Sequence, residues 1–250
     1  MSPDRIVFIG HSTLLIELDG IALLTDPLLR NRVVHLRRQV APADLQTALL
    51  ADAVLVSHLH HDHLDPASLR LLGSDMRLVV PKGTARWLCR QGFTSVSELG
   101  VGEVLELGSL RIAAVTAYHD GRRFPRGPGA QSVGYLIHSR RTIYFAGDTE
   151  LFARMAELSP EIDVALLPVA GWSPRLGRGH MDPDDAARAT RLLKPRVAIP
   201  IHWGTLLPLG LGTRHRRRLA EPARRFASEV GRVAPGTEVR ILAPGEETRL

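Results

Sequence analysis

The sequence of 250 residues has little cysteine and few aromatic side chains: it contains one cysteine, Cys89, and aromatic residues make up 5% of the chain. A lone cysteine excludes an intramolecular disulfide framework and a cysteine-ligated zinc ribbon. A metal bound by this chain must therefore be held by nitrogen and oxygen atoms. The shortage of aromatic residues also argues against the ladder of stacked side chains on which many proteins bind single-stranded nucleic acids.

Long hydrophobic runs are missing as well. No apolar stretch approaches the roughly 20 residues that a helix needs to cross a bilayer, and the first ten residues lack the basic and then apolar layout of a signal peptide. With 44% hydrophobic residues and no serine- or glycine-rich linker, the chain can bury a large core. We therefore expect one cytoplasmic domain that spans residues 1–250, and a homo-oligomer is compatible with this sequence.

Basic residues are in moderate excess. The 32 basic residues, almost all of them arginine, outnumber 26 acidic residues, so the formal net charge is +6. This balance suits an anionic small-molecule substrate, but an arginine-rich composition without functional meaning explains it equally well. Two glycine-rich loops are candidates for substrate contacts, although a solvated surface is the alternative interpretation of both. Their candidate residues are Arg122, Arg123, Arg126, Trp172, Arg175 and Arg178.

Alternating apolar residues at the start of the chain predict antiparallel strands. Residues 5–10, 13–18 and 21–25 follow this pattern, and Asp19-Gly20 is typical of a tight hairpin turn. Farther along, apolar strands alternate with helical segments, and the last predicted strand is 238–242. The predicted helices include 66–73, which ends at Gly73, 150–158, and 182–193, which begins at Asp182-Pro183. This order predicts an α/β architecture of two sheets, each covered by helices on its outer face.

The densest group of polar residues is HLHHDH at 58–63, directly after the predicted buried strand AVLVS. Clustered imidazoles and carboxylates are costly to bury unless a cation joins them. Residues two apart in an extended segment point the same way, so His58 and His60 can converge on one ion, while Asp62 and His63 can reach a second. Imidazole and carboxylate ligands without thiolate favour a divalent ion such as zinc, manganese or iron.

Two coordination shells need further ligands, and three candidates share one context. His119, Asp148 and His202 each lie one or two residues beyond a predicted apolar strand, which is where sheet folds place reactive side chains. An isolated histidine in such a place is more often a packed or capping residue. Three residues in the same context supply the missing ligands, so we predict that they join the cluster.

Taken together, these residues resemble a known family. The pattern His-x-His-x-Asp-His, then a histidine, the aspartate of AGDT and the histidine of PIHWG, is similar to the metallo-β-lactamase fold superfamily of metal-dependent hydrolases. The segments GHSTLLIELDGIALLTDPLL and HMDPDDAARATRLLKPRVAIPIHWGT extend the resemblance over nearly the whole chain. They are most similar to the branch that contains the ascorbate-6-phosphate lactonase and the N-acylphosphatidylethanolamine phospholipase D.

The resemblance implies a four-layer αββα sandwich with a dinuclear metal site at one edge. It implies three ligands for each of two divalent cations, for which zinc is favoured and manganese or iron are alternatives, and one aspartate that bridges them. The first cation is expected on His58, His60 and His119, the second on Asp62, His63 and His202, and the bridge at Asp148.

The resemblance also implies supporting residues around the metals. Asp26 matches an acid that hydrogen-bonds a ligand histidine, although a turn residue before a proline is an equally good interpretation. His11 occurs in a segment that the family uses near the metals, and Trp172 is a candidate substrate contact. His61 has no ligand role in the pattern.

Such a site is expected to carry out hydrolysis. Two divalent cations, two aspartates and a bridging hydroxide leave a net positive charge that can stabilise an oxyanion. Metal-bound water loses a proton at a pKa of about 7, so a metal-bridging hydroxide is available at neutral pH. Asp62 is the candidate to orient this nucleophile and to carry a proton, and His180 is the second candidate catalytic residue. We expect cleavage of a small, anionic ester, lactone or phosphodiester.

Two other functions are compatible with the same scaffold. A nuclease or other nucleic-acid phosphodiesterase would suit the arginine-rich chain, but the few aromatic residues make nucleic acid a disfavoured partner. A redox or non-catalytic metal protein is the other alternative. The complete ligand set argues against a non-catalytic site, and purified protein that contains iron would favour the redox interpretation.

Overall fold

Residues 4–125, 127–158, 161–171, 176–211 and 219–250 are described by the computed structural model of the protein. In chain order, the strands within these ranges are β1 Arg5–Gly10, β2 Thr13–Leu18, β3 Ile21–Thr25, β4 Arg32–Val33, β5 Leu36–Arg38, β6 Ala53–Leu55, β7 Arg77–Pro81, β8 Val96–Leu99, β9 Val104–Leu107, β10 Leu110–Thr116, β11 Val133–His138, β12 Thr142–Phe145, β13 Val164–Pro168, β14 Val197–Ile201, β15 Leu206–Pro208, β16 Glu238–Val239 and β17 Glu247–Arg249. The helices are α1 Leu45–Ala48, α2 Pro66–Leu72, α3 Ala85–Arg90, α4 Pro183–Leu193 and α5 Glu221–Val233, with a 3₁₀ helix at Ala153–Glu157.

The strands form two seven-stranded sheets and one small sheet. The first large sheet has the order β17-β1-β2-β3-β6-β7-β8, and the second has the order β16-β14-β13-β12-β11-β10-β9. In the first sheet the strands from β17 to β3 are antiparallel, and those from β3 to β8 are parallel. The second sheet likewise combines a parallel half with an antiparallel half.

Side chains alternate between the two faces of each large sheet, as the period of two in a strand requires. In β1, Ile6 and Phe8 enter the core between the two sheets, whereas Val7 and Ile9 lie in a second core on the outer face. In the second sheet, Tyr135 and Phe145 enter the same inner core. Both faces of each sheet are therefore apolar, which explains why the strands read as nearly continuous hydrophobic runs.

Helices cover both outer faces. The outer core of the first sheet contains residues of α1, α2 and α3, and that of the second sheet contains residues of α4 and α5. The layers thus follow the order helix, sheet, sheet, helix. The four-layer αββα sandwich expected from the sequence is confirmed.

The predicted helix ends agree with local capping chemistry. Asp65 and Asp182 occupy the N-cap positions of α2 and α4, and each is followed by a proline at the first helical position. Both carboxylates accept backbone N–H groups of the first turn. Gly73 ends α2 with a φ of 111°, a conformation that favours glycine.

Some predicted elements differ in the structure. The segment predicted as a helix at 150–158 forms only a 3₁₀ helix, whose N-cap residue Phe152 makes no side-chain cap bond. The last predicted strand is shortened to β16. The sequence pattern predicts neither β17 nor the small sheet of β4, β5 and β15. These strands are two or three residues long, too short for a periodic signal. The basic residues 214–218 lie outside the described ranges.

Candidate metal centre

Four strand ends bring the predicted ligands together at one edge of the sandwich. The loop after β6 carries four of them, and one ligand each follows β10, β12 and β14. Because β6 belongs to the first sheet and the other three strands to the second, both sheets contribute to the cluster. The seven side chains are His58, His60, Asp62, His63, His119, Asp148 and His202.

The first group consists of His58, His60 and His119, whose ligand atoms all lie within 4.8 Å of one another. His119 Nδ1 donates a hydrogen bond to the Gly179 carbonyl at 2.8 Å, so its Nε2 carries a lone pair. This Nε2 faces Nδ1 of His60 at 3.0 Å. The buried Nε2 of His58 has no hydrogen-bond partner, and it can point its lone pair at the same place.

The second group contains Asp62, His63 and His202, with His11 beside them. His202 Nδ1 donates to the Ala170 carbonyl at 2.7 Å, and His63 Nδ1 contacts the Asp26 carboxylate at 2.7 Å. These bonds place a proton on each Nδ1 and turn each Nε2 towards the cluster. The two Nε2 atoms face each other at 3.1 Å, so a proton or a metal cation between them would stabilise the arrangement.

Asp148 lies between the two groups. Its Oδ2 atom is 3.9 Å from His58 Nε2, 3.3 Å from His63 Nε2 and 3.2 Å from His202 Nε2. Its Oδ1 atom is buried without a hydrogen-bond partner. One carboxylate therefore faces ligand atoms of both groups, as a bridging ligand must.

The donor set fits divalent cations. All facing atoms are imidazole nitrogens or carboxylate oxygens, which suit zinc, manganese or iron. Ligand nitrogens at ~2.0–2.1 Å from a tetrahedral zinc lie about 3.3 Å apart. The separations of 3.0 Å and 3.1 Å within the two groups are close to this value. The unpartnered atoms of His58 and Asp148 have a role if a metal is bound.

The pKa shifts of the histidines differ between the two groups. Burial opposes the charged form of His202, but the Asp148 carboxylate raises its pKa to about 9. Burial and neighbouring histidines lower the pKa of His58 well below its usual value, and burial lowers that of His119 to about 4. Although burial works in the opposite direction, positive charge on the histidines holds the pKa of Asp62 and Asp148 well below the usual range.

Asp26 orients one histidine of each group. This fully buried carboxylate accepts the Ser57 N–H at 2.7 Å and the Ser57 hydroxyl at 2.6 Å, and it faces His63 Nδ1 at 2.7 Å. Because the Ser57 hydroxyl donates its only proton to Asp26, it can only accept from His58 Nδ1, which lies 3.0 Å away. Both histidines thereby present Nε2 to the cluster. Of the two interpretations of Asp26, the structure shows the contact with a predicted ligand.

His11 contacts the cluster from the turn between β1 and β2. Its Nε2 lies 3.0 Å from Asp62 Oδ2, and its backbone N–H donates to Thr205 Oγ1 at 2.7 Å. Its carbonyl accepts the N–H of His202 at 2.8 Å. His11 therefore positions two of the predicted ligands of the second group, one through its ring and one through its backbone.

Three residues of the site have strained backbones. His11, Asp26 and His202 have φ angles of 61°, 33° and 60°. Side-chain-bearing residues rarely adopt this left-handed region, and each such residue costs ~1–3 kcal/mol. The surrounding sheets hold them there, which is typical of a functional site.

His180 stands at the edge of the cluster. Its Nε2 lies 3.6 Å from Asp148 Oδ2, and its ring centroid is 4.7 Å from that of His119. The side chain is 23% exposed, compared with 2% for Asp148. His180 can therefore contact both the cluster and a bound molecule. The other predicted substrate contact, Trp172, lies outside the described residues.

The interpretation of Arg123 as part of a solvated surface loop is wrong, because its side chain lies inside the protein. Its guanidinium is buried, donates to the carbonyls of Leu59 and Leu64 at 3.0 Å and 2.7 Å, and lies 4.9 Å from the ring centroid of Trp87. It also donates to His61 Nδ1 at 3.0 Å. Arg123 thus holds the loop that carries the first four predicted ligands. The sequence offers no signal for this role, because neighbouring glycines and prolines indicate exposure.

His61 itself faces away from the cluster. Since a guanidinium can only donate, His61 Nδ1 accepts from Arg123, and its Nε2 donates to the Phe124 carbonyl at 2.9 Å. Arg122 and Arg178 are exposed on the surface. The remaining loop arginines, Arg126 and Arg175, lie outside the described residues.

Comparison with known proteins agrees with this geometry. A family model described as "Beta-lactamase superfamily domain" matches residues 22–203, which is more than half of the chain. The chain belongs to the β-lactamase superfamily. A UPF0173 metal-dependent hydrolase from Methanopyrus kandleri is 32% identical to this member over 248 residues, which cover 97% of this chain and 98% of the relative.

One further relative and one solved structure are also similar to this superfamily member. An N-acyl-phosphatidylethanolamine-hydrolyzing phospholipase D 1 from Caenorhabditis elegans is 30% identical over 229 residues, which cover 81% of this chain and 64% of the relative. Among solved structures, a metallo hydrolase from Ignicoccus hospitalis superposes with a TM-score of 0.76 at 26% identity and covers 100% of this chain and 99% of the other. The protein is thus a metal-dependent hydrolase of the metallo-β-lactamase fold.

None of the helices in the described ranges combines the length and the hydropathy that a membrane span requires. The longest of them, α5, has 13 residues.

Proposed function

We propose that the protein hydrolyses a small, anionic ester, lactone or phosphodiester at two divalent cations, with zinc as the favoured metal. The observation that supports this most strongly is the convergence of seven imidazole and carboxylate side chains at one place, where Nε2 of His63 and Nε2 of His202 face each other at 3.1 Å. His58, His60 and His119 would hold one cation, and Asp62, His63 and His202 the other. Asp148 would bridge the two.

The bound cations would act as Lewis acids that lower the pKa of water to about 7 and stabilise the oxyanion of the transition state. The chain's own residues then have distinct tasks. Asp62, held by His11 at 3.0 Å, orients the attacking water and takes up its proton. His180, partly exposed beside Asp148, faces the leaving group and supplies a proton to the leaving oxygen. Water is consumed, and the bond between the carbonyl carbon or phosphorus and the leaving oxygen is broken.

One of the relatives favours the phosphodiester among these substrates. The relative from C. elegans is named as a phospholipase D, an enzyme that acts on a phosphodiester bond. A carboxylic ester or lactone suits the same site, because both reactions place negative charge on an oxygen in the transition state. A panel of phosphodiesters, lactones and thioesters, supplied to the metal-loaded protein, would identify the bond that is cleaved.

The variant His60→Ala tests the assignment of the metal centre. Because the strands and not this side chain form the core, the variant should fold but lose at least one equivalent of metal and hydrolysis of every substrate in the panel. His138→Ala is the matched control, since His138 lies at the opposite end of β11 from the cluster and its ring contacts Thr142 Oγ1 at 3.2 Å. Metal content by mass spectrometry and circular dichroism provide the readouts.

Two outcomes would contradict the proposal. Full metal content and full activity in His60→Ala would show that His60 is not a ligand. Tight binding of DNA or RNA that weakens steeply with salt, together with cleavage of the nucleic acid, would instead support the alternative function as a nuclease.

A further inference from the structure

A cavity of about 600 Å³ opens directly beside the candidate metal centre. His11 and His202 form the end of the cavity that meets the ligand cluster. The volume lies within the range of ~300–1,000 Å³ that is usual for small-molecule sites. Whatever fills the cavity therefore adjoins the position where the proposed reaction takes place.

The described walls of this cavity are mostly apolar. The aliphatic side chains come from the end of β13, from the loop before α4, and from β15 and its flanking loops. Trp203 lies in the wall with its indole N–H already donated to the Pro200 carbonyl at 2.8 Å, so the ring offers only an apolar surface. The aliphatic lining residues are Val169, Leu176, Leu206, Leu207, Leu211 and Leu219.

The charged groups far from the metal centre do not suit an anion. The carboxylate of Asp182 accepts two backbone N–H groups of α4 at 2.9 Å. Arg225 bonds to Asp184 at 3.0 Å, and the remaining charged residue of the described lining, Glu221, is an acid. An anionic group at this end would meet two acids and an arginine that is already paired, and an uncharged group would meet the apolar wall.

We propose that this cavity binds an uncharged hydrocarbon substituent of the substrate, next to the bond that is hydrolysed. This inference rests on the proposed function and adds the substrate class to it. The negative charge of the substrate lies at the metal end, and the apolar substituent extends along Trp203 and the leucines of β15. The hydrophobic effect then contributes to affinity in proportion to the chain length that fits.

The test measures binding of methyl-, butyl- and octylphosphonate to the metal-loaded protein by isothermal titration calorimetry. Binding of the phosphonate group measures the interaction with the metal centre. The dependence of the Kd on alkyl chain length measures the interaction with the cavity. Each buried methylene should lower the Kd about fourfold, so octylphosphonate should bind at least about tenfold more tightly than butylphosphonate.

Two variants of one half-buried wall residue probe the cavity in opposite ways. Leu211→Ser removes apolar surface from the wall and should reduce the gain in affinity with chain length. Leu211→Trp fills space in the cavity and should selectively weaken the binding of octylphosphonate. Methylphosphonate should bind both variants as it binds the original protein. Leu209→Ser is the matched control, because Leu209 lies in the same loop but is 45% exposed and outside the lining.

The outcomes separate the cavity from the metal centre. If methylphosphonate binds but chain length has no effect, the cavity inference is wrong and the proposed hydrolase function stands. The inference also fails if octylphosphonate does not bind, or if the Leu211 variants keep the full dependence on chain length. If the longer phosphonates bind the metal-free protein as tightly as the metal-loaded protein, the cavity is supported and the proposed metal centre is contradicted.

Discussion

The position of the proton on each imidazole ring decides which nitrogen of a histidine in this cluster can bind a metal. Each of His63, His119 and His202 uses Nδ1 for a bond to a carboxylate or a carbonyl, so that Nε2 faces the cluster. The bond on the far nitrogen therefore selects the tautomer that can bind a metal. Asp26 does this for His63 directly and for His58 through Ser57.

Asp26→Asn should weaken the binding of both cations. The amide retains the size of the carboxylate but loses its charge, so neither His63 nor, through Ser57, His58 keeps a fixed tautomer. Loss of such a supporting carboxylate typically lowers metal affinity about 10- to 100-fold. Titration against a fluorescent chelator measures the two affinities.

Ser57→Ala separates the two effects, because it removes the hydroxyl that links His58 to Asp26 but keeps the contact between Asp26 and His63, so it should weaken mainly the first cation. Asp52→Asn is the control, since Asp52 is an exposed residue whose carboxylate accepts a backbone N–H of the same sheet at 2.8 Å. Equal affinities in Asp26→Asn and Asp52→Asn would show that Asp26 has no special role.

Arg123→Lys should destabilise the protein and loosen its metal site. Lysine cannot donate to Leu59, Leu64 and His61 from one planar group, so buried carbonyls lose partners at a cost of ~1–3 kcal/mol. Burial already lowers the pKa of Arg123, which shows how closely the loop surrounds it. Urea unfolding and chelator titration are the measurements. The exposed neighbour provides the control Arg122→Lys, and identical behaviour of the two variants would contradict the prediction.

At the scale of elements, the site depends on how closely two strand ends approach. Gly147, at the end of β12, has a φ of 59°, and a Cβ atom there would lie 2.5 Å from Cβ of Ser57. Only glycine allows the strand of Asp148 to pack against the strand of His58 at this distance. In the AGD sequence, the backbone geometry therefore requires the glycine, and the aspartate is a predicted ligand.

Gly147→Ala should push β12 away from the loop after β6. We expect a loss of at least ~1 kcal/mol in the free energy of unfolding and weaker binding of both cations, because Asp148 moves away from His58 and His63. Gly236→Ala is the control, since nothing lies within 4 Å of its Cβ position. Thermal unfolding and metal titration test the prediction, which is wrong if Gly147→Ala retains the metal affinity of the control.

At the scale of the whole molecule, the cluster connects the two sheets. The first four predicted ligands follow β6 of the first sheet, and the other three follow strands of the second sheet. A cation bound by both sets joins the two halves of the sandwich. Binding to the folded state alone stabilises it by RT ln(1 + [L]/Kd), which is about 2.7 kcal/mol at 100 times the Kd.

Removal of metal with a chelator should therefore lower the unfolding temperature of the whole protein. Calorimetry on the protein before and after dialysis against EDTA measures the shift, and re-addition of zinc should restore the original midpoint. His138→Ala should show the same shift as the original chain, and His60→Ala a smaller one. A midpoint that does not respond to chelator or to zinc would argue against a metal that links the sheets.

Much of this organisation could be predicted from local pattern. The hairpin at Asp19-Gly20 and the helix start at Asp182 follow from residues adjacent in sequence, and the structure shows both. Strand ends at His119, Asp148 and His202 were predicted to converge because sheet folds place such ends at one edge. The very short strands β4, β5, β15 and β17 could not be predicted, because they form only where distant segments pair.

The amino-acid sequence by itself determined the sandwich and the chemical type of the predicted ligands, because periodicity, caps and donor atoms are properties of neighbouring residues. Tertiary structure alone decided which nitrogen of each histidine faces the cluster, that Arg123 lies inside the protein, and that an apolar cavity adjoins His202. These features depend on distances between residues that are far apart in the chain. Local sequence patterns do not determine these distances, which are set only when the two sheets pack together.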